Sequence, residues 1–404
     1  MATVEGSPGD PTPSPTPIPP TPAPAPVSPS LWKAIVAKNW QGVVGWMAVA
    51  AVTTLLNHFF FKADPLPTPE PPTPIFQGTF GWHEPTEKDR KAALESPNVY
   101  EFSQTEAGQA ELIVGDPDGN AFLWQLAAKG FGGQIPTLDQ GSVGSCVGNG
   151  WAQGINYEIA IQAALNRGPP IDGKVVIPAE VVYGGSRVNA NGGRAPLMGD
   201  GSNGSWAARF VTETGVCSRG VYGPYDVTKY SESACRALGR AGIKGELLEA
   251  CKKNTVSAAL VNSADDIKKA LLQGYPVPIC SDVGFAGQSS RDADGFLNAR
   301  GSWPHCLLVI GYRKDKNGFC ILNSWGDNWV SGPLGPGNPP PGSFWCSYET
   351  MDRIAKQGDS FAVSAVKGFP RKKLNADDWI AVRPVDKQDK WNLNFGGMLY
   401  ASRP

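Results

Sequence analysis

Proline sets the outer limits on this 404-residue chain. Of its 37 prolines, eleven fall within residues 1–30, spaced by Ser, Thr and Ala, and six more fall in Asp64–Ile75. Proline fixes φ and removes a backbone donor, so neither stretch can enter a helix interior or a central strand. Residues 1–30 are expected to form a disordered tail and 63–75 a semi-rigid stalk. Between them lies a segment of another kind: Trp40–Phe61 runs for 22 residues without Asp, Glu, Lys or Arg. At 1.5 Å per residue a helix of that length spans about 33 Å, against a bilayer core of about 30 Å. Residues 31–62 are therefore predicted to be a transmembrane anchor that meets the lipid bilayer through Trp40–Phe61. Lys33 and Lys38 precede the stretch, whereas Lys62 is offset by Asp64 and Glu70. That bias puts the N-terminus inside and the bulk of the chain on the non-cytoplasmic side. Phe59-Phe60-Phe61-Lys62 lacks the small residues of a leader cleavage site. Gln41, Asn57 and His58 are awkward in lipid and keep a buried soluble helix as the alternative.

The remainder has the composition of a folded globular protein, with 41% apolar and 18% charged residues overall and a net charge of −1. Neither the balance nor any basic run suggests a nucleic-acid partner. Eight cysteines and only three histidines are present, and no cysteine pair has CxxC spacing. A Cys/His metal cluster is not expected, and no cofactor is implied. Cys235 and Cys251, close together in a polar stretch, are the candidate disulfide in an oxidising compartment, with free buried thiols as the alternative.

Residues 76–134 form a mixed extension without an assigned structure, and the domain that carries chemistry is expected at 135–366. At its start Asp139–Gly150 reads DQGSVGSCVGNG. A Gly-Ser turn precedes Cys146, and apolar residues then recur near helical spacing at Val147, Trp151, Ile155, Ile159, Ala163 and Leu165. Cys146 thus falls in the first turn of a helix, where free N–H groups and the helix dipole favour the nucleophilic thiolate. Gln140 is placed so that a turn can bring its side-chain amide beside the Cys146 N–H, giving two donors for an oxyanion. A buried structural cysteine beside a glycine turn would leave the same local pattern.

A thiolate nucleophile needs a base. His58 lies in the apolar stretch and His83 in the extension. His305 opens the run PHCLLVIGY, whose Leu307–Ile310 reads as a buried strand with His305 at its start. Lys314–Gly318 reads as a hairpin turn, and the returning strand ends in FCILNSWG. Asn323 can hold the second ring nitrogen of His305 and fix its tautomer, with Trp325 covering that bond.

These two segments resemble the active-site motifs of the papain-like cysteine peptidases. In that family Gln, Gly and Gly-Ser-Cys recur with this spacing, and a His strand is followed by Asn-Ser-Trp-Gly. Val143 stands where the family usually has a half-cystine, and Val147 where it usually has Trp or Tyr. Both departures are more similar to bacterial or viral members than to plant and lysosomal ones. His305 and Asn323 follow Cys146 by 159 and 177 residues, beyond the family's typical range of about 130–150, which implies insertions.

The resemblance implies an α+β fold in two lobes, a helical one with Cys146 and a β-rich one with His305 and Asn323. It also implies peptide or protein substrates, an acyl-enzyme on Cys146, and no metal or organic cofactor. By position it implies a substrate-binding loop at Gly201, Asn203 and Gly204. Trp303 and Pro304 would border the pocket for the second substrate residue before the cut, with Trp325 on the other side of the base. Ser263 is expected to cap a helix that closes at Gly274 and leads into a strand at Tyr275–Ser281. Phe344–Tyr348 and Phe361–Val366 read as closing strands, and 367–404 as a C-terminal extension. The family's helical inhibitory propeptide has no counterpart in Lys62–Gln134, so control by location is expected. Two other roles fit the same residues: a catalytically silent binding module, and a Cys-dependent transpeptidase or transamidase.

Overall fold

In the computed structural model, described over residues 79–111, 119–166, 170–171, 176–196, 199–285 and 290–374, the longest helix and the longest strand pack against each other. The elements that position the site run in chain order. They are α1 (Glu87–Leu94), β1 (Val99–Glu101), β2 (Ala121–Phe122), α2 (Leu123–Phe131), α3 (Cys146–Leu165) and α4 (Ala179–Gly184). Next come α5 (Gly204–Arg209), α6 (Glu232–Ala241), β3 (Ser257–Leu260), α7 (Ala264–Leu272) and β4 (Val277–Val283). The last are β5 (Ser302–Arg313), β6 (Gly318–Leu322), β7 (Ser343–Ser347), α8 (Tyr348–Ala355) and β8 (Phe361–Ser364).

The five-stranded sheet is antiparallel throughout, with β5 at its centre. β6 pairs along one edge of β5 and β7 pairs with β6. β4 and then β2 line the opposite edge of β5. Central position explains the composition of β5: Cys306–Tyr312 is buried at every residue, so the run is apolar rather than alternating. The sheet therefore uses β2, from the stretch before residue 135. A second sheet orders β1–β3–β8, parallel between β1 and β3 and antiparallel between β3 and β8.

The helix expected from Cys146 is present as α3, buried on every side from Cys146 to Ile161. A helix wrapped by protein on all faces cannot show the narrow apolar stripe of a surface helix. Gly150 lets β5 come close, since a Cβ there would lie 2.9 Å from Cys306 Sγ. Ser263 caps α7 by accepting from the Asp266 N–H at 3.1 Å, as its sequence suggests. The hairpin after β5 is also as expected, with Asn317 in the left-handed region at φ 46° and Arg313 opposite Gly318.

Two expectations change. β5 begins at Ser302, so His305 lies inside the strand rather than at its start. Pairing with β4, where Ser281 faces His305, extends the strand through Trp303-Pro304. All eight cysteines are free thiols: Cys235 packs with Val143 and Tyr183, whereas Cys251 has Cys217 as its neighbour. Among the described residues no helix is long and apolar enough to cross a membrane. The expected anchor at Trp40–Phe61 lies outside the described residues, as do the Pro-rich tail and stalk.

Candidate active site

Two loops bring the separated motifs together. Asp139 and Trp325 form an isolated antiparallel bridge, Gly326 N–H donates to the Leu138 carbonyl at 3.0 Å, and Gln140 N–H donates to the Ser324 carbonyl at 2.9 Å. The Gln140 segment ahead of α3 is thereby tied to the Asn323 segment after β6. Ser324 goes further: its hydroxyl donates to Gln140 Oε1 at 2.6 Å. That bond fixes which end of the Gln140 amide is the donor, and its Nε2 points to the carbonyls of Val143 and Thr79, each at 2.9 Å. Ser324 is a positioning residue that the sequence reading did not single out.

On β5, His305 is 2% exposed and its Nε2 lies 2.8 Å from Asn323 Oδ1. An amide oxygen can only accept, so Nε2 carries the proton and Nδ1 is left with its lone pair. Nδ1 is buried and makes no hydrogen bond. Trp325 lies over the ring, 4.8 Å between centroids and tilted by 33°. Trp303 packs on Trp325 at 5.0 Å and on Trp329 at 6.1 Å. Cys146 stands at the head of α3, fully buried.

The cleft between these groups is filled by the chain itself. The Thr79 carbonyl accepts from Gln140 Nε2, and Trp325 Nε1 also points at it from 3.4 Å. Phe80 lies edge-on to His305 at 5.8 Å. Gly81 and Trp82 donate their N–H groups to the Pro304 carbonyl at 3.1 and 3.0 Å. The Gly81 backbone also bears on the Cys146 thiol. Beyond it, the Gly81 carbonyl accepts from Ser202 N–H and His83 N–H donates to the Ser202 carbonyl, both at 2.9 Å. The His83 ring bonds the Asp200 carbonyl at 2.8 Å. Thr79–Glu84 is thus an extended strip added along Gly201–Ser202, in the manner of a bound peptide.

No helical inhibitory propeptide is expected in Lys62–Gln134, and the segment that covers the Cys146 loop from there is not a helix. Six residues of extended backbone carry no helical periodicity that would mark them in the sequence. The helix directly after it, α1, is held by a capping box at Thr86 and Asp89. Contact at the nucleophile loop is glycine on glycine. A Cβ on Gly81 would stand 2.0 Å from the Gly144 carbonyl oxygen, and one on Gly144 would stand 2.6 Å from the Phe80 carbonyl oxygen.

Burial under the strip also sets the electrostatics. It pushes the Cys146 thiol far above its ordinary range, and it pulls His305 down to about 4 although the Asn323 bond opposes this. Both shifts have desolvation as their main cause. At neutral pH Cys146 is therefore a thiol and His305 a neutral imidazole.

The substrate-loop residues divide. Gly201, at φ 119°, lies under the strip, where a Cβ would meet His83 Nε2 at 2.1 Å. Asn203 does not face the cleft. It is the N-cap of α5 and accepts from Trp206 N–H at 2.8 Å. Gly204 is the first residue of α5, and its N–H donates to Asp359 at 2.7 Å. The backbone partner in the loop is Ser202, one residue from the expected register. Pro304 acts through its carbonyl, while Trp303 is 7% exposed and belongs largely to the aromatic packing. Asp359 and Phe80 carried no signal in the sequence.

No family model matches the chain, and no curated protein matches it. Solved structures similar to it include xylellain, a cysteine protease from Xylella fastidiosa, at 18% identity over 73% of this chain and 98% of that one, with a TM-score of 0.45. A procathepsin L2 from the Tenebrio molitor larval midgut is 16% identical over 71% of this chain and 78% of its own, with a TM-score of 0.42. A procathepsin B from Trypanosoma congolense is 17% identical over 72% and 86%, with a TM-score of 0.40.

Proposed function

We propose that this protein is a cysteine peptidase held latent by its own Thr79–Glu84 strip. The observation that carries the reading is the Thr79 carbonyl seated on Gln140 Nε2 in the cleft that holds Cys146 and the Asn323-bound His305. A peptide carbonyl in that seat is polarised by a donor whose orientation Ser324 fixes. With the strip displaced, water reaches the cleft and the desolvation that favours thiol and neutral imidazole is relieved. His305 Nδ1 then takes the Cys146 proton. The thiolate attacks the substrate carbonyl, and the oxyanion rests on Gln140 and the Cys146 N–H. The imidazolium protonates the leaving amine, and the same nitrogen next activates water to release the acyl group. Asn323 keeps the ring in the tautomer that this exchange needs. The resemblance of DQGSVGSC and NSWG to the papain-like motifs points to the same chemistry.

Latency has a direct test. Gly81→Val in the full chain puts a side chain against the Gly144 carbonyl and expels the strip. Alkylation of Cys146 by iodoacetamide, located by mass spectrometry, is expected to rise by about tenfold or more, since overlap of this kind costs about 1–3 kcal/mol. Cleavage of a fluorogenic peptide should rise with it. A Gly81→Val protein that is folded and reacts no faster than wild type would sink the latency reading.

We also propose that Trp40–Phe61 tethers the peptidase to a membrane, with the domain on the non-cytoplasmic face. Its length and lack of charge support this. Alkaline carbonate should leave the full chain in the membrane pellet; release into the supernatant would rule out a spanning anchor.

A further inference from the structure

The edge at Gly201–Ser202, along which the strip lies, is held from behind by one buried cation. Arg187 is 4% exposed, and its guanidinium donates to three carbonyls: Gly239 at 3.0 Å, Gly201 at 2.5 Å, and Gly199. It stands where α4 runs on into a wider turn, Gly185–Asn189, closed by Ala190 N–H on the Gly185 carbonyl at 2.9 Å. Such widened turns in a helix are frequent at functional positions. Tyr183 and Ser186 share a helical face with Arg187 and reach the same loop. Gly201 N–H donates to the Tyr183 hydroxyl at 3.0 Å, and the Ser202 hydroxyl donates to Ser186 Oγ at 2.9 Å. Between Gly199 and Gly201, the Asp200 carboxylate accepts from Gly144 N–H at 3.1 Å and from Arg236 of α6 at 3.0 Å. These contacts leave the Ser202 N–H and carbonyl to the strip, which takes both at 2.9 Å.

We propose, building on the peptidase reading, that Arg187 is a positioning residue. By clamping the Gly199 and Gly201 carbonyls it fixes Ser202 as the edge on which a substrate backbone pairs. The loop needs such a clamp. Gly199 and Gly201 have φ of 62° and 119°, and glycine loses more conformational freedom on ordering than any other residue. An edge that had to order each time a peptide bound would give up affinity that a preformed edge keeps. A planar guanidinium presents several donors in a fixed fork, whereas an ammonium is a point charge on a flexible stem. The third arm of the clamp, on Gly239, reaches α6, and Arg236 of the same helix donates to the Ser142 carbonyl at 2.8 Å. Arg187 therefore ties the pairing edge to the helix that also braces the loop ahead of Cys146. Its effect on the reaction is to set where Ser202 stands relative to the thiol.

The test uses the full chain and compares a substrate that reaches Ser202 with one that does not. Arg187→Met is added to the Gly81→Val chain, and cleavage of a fluorogenic peptide is measured against that of p-nitrophenyl acetate, whose acyl group has no backbone to pair. The peptide-to-ester ratio of kcat/KM should fall by about tenfold or more, the scale on which bonds from a charged donor are lost. The peptide's loss should lie in KM, because backbone pairing holds substrate and transition state alike. A merely structural role would lower both rates together, and an unchanged ratio would overturn the inference. Strip seating gives a second reading that needs no turnover. In the otherwise wild-type chain Arg187→Met should speed Cys146 alkylation by iodoacetamide about tenfold, since the strip uses the same two Ser202 groups. In the Gly81→Val chain, where the strip is already out, it should add less than about twofold. An equal rise in both chains would mean general loosening and would also overturn the inference. If the Gly81→Val chain cuts no peptide, the peptidase reading fails while the alkylation pair still decides the clamp. Arg187→Met strands three carbonyls, so Arg187→Lys is run beside it. Lysine keeps the charge without the fork, and both effects should persist at about threefold or more. A folded Arg187→Lys chain that matches its parent in both readouts would overturn the clamp even if Arg187→Met does not fold.

Discussion

Cys146→Ala, introduced into the Gly81→Val chain, is expected to lower peptide turnover by about a thousandfold or more, the scale on which loss of a covalent nucleophile acts. His305→Ala should fall nearly as far, because the two groups act as one unit and their losses do not add. The argument is geometric. Among the described residues, only Cys146 among the eight thiols stands at the head of a helix beside Gln140, while Cys280 and Cys306 face each other across β4 and β5. Burial pushes Cys280 well above the ordinary thiol range, with Cys306 as its hydrogen-bonded neighbour. These two thiols approach Cys146 but have no oxyanion donor. Progress curves with equal concentrations of the three folded proteins, checked by near-ultraviolet circular dichroism, give the measurement. If Cys146→Ala kept even a tenth of the turnover, the nucleophile would lie elsewhere and Cys306 would be the next thiol to replace. His305→Ala adds a second reading: Cys146 alkylation should slow and its pH profile move upward toward that of an unassisted thiol. An effect on turnover without an effect on alkylation would place His305 after the attack rather than before it.

What the sequence reveals of this site follows from how local each feature is. α3 after Gly144-Ser145, β5 from its apolar run, and Asn323 at the end of the return strand are all written in short segments, and the structure has them. His305 was displaced within its strand because the pairing with β4 that lengthens β5 is contributed by Val277–Val283. Asn203 reads as a loop residue in GSNGSW, yet the same Asn-x-x pattern is a helix start, and α5 was too short to show a period. Asp359 was invisible for a different reason. Its donors come from Trp82, Gly204 and Ser205, more than 150 residues away, and nothing beside it in the chain marks an acid that will be buried. The strip was missed because Phe80-Gly81-Trp82-His83 has no periodicity. Its meaning lies in Gly81 meeting Gly144, a contact that needs the fold already formed.

Lys372→Ala is expected to destabilise the domain by about 3–5 kcal/mol, the range for breaking a buried ion pair from one side. Lys372 Nζ lies 2.5 Å from Glu158 Oε2, with side chains 3% and 1% exposed. It also donates to the Gly274 carbonyl at 2.8 Å and sits 3.8 Å above the Tyr275 ring. Glu158 accepts in turn from Gln162 Nε2 at 2.9 Å. Burial pushes the Glu158 carboxyl up and the Lys372 ammonium down, and their mutual attraction opposes both shifts. Without Lys372, only the Gln162 amide and the Ala365 N–H oppose the first shift, and Glu158 must take up a proton or strand a charge inside α3. At about 2–4 °C per kcal/mol for a domain of this size, the melting temperature should fall by roughly 6–20 °C. The double change Glu158→Leu with Lys372→Met separates pairing from packing. Apolar replacement of a whole buried pair is often neutral or stabilising, so the double variant should melt near or above wild type. If Lys372→Ala melts within about 2 °C of wild type, the pair is not a determinant of stability. Glu158 lies three turns along the helix that presents Cys146, about 18 Å from it at 1.5 Å per residue. Below the melting transition Lys372→Ala should therefore alkylate at Cys146 as wild type does, because the covering strip touches neither partner of the pair.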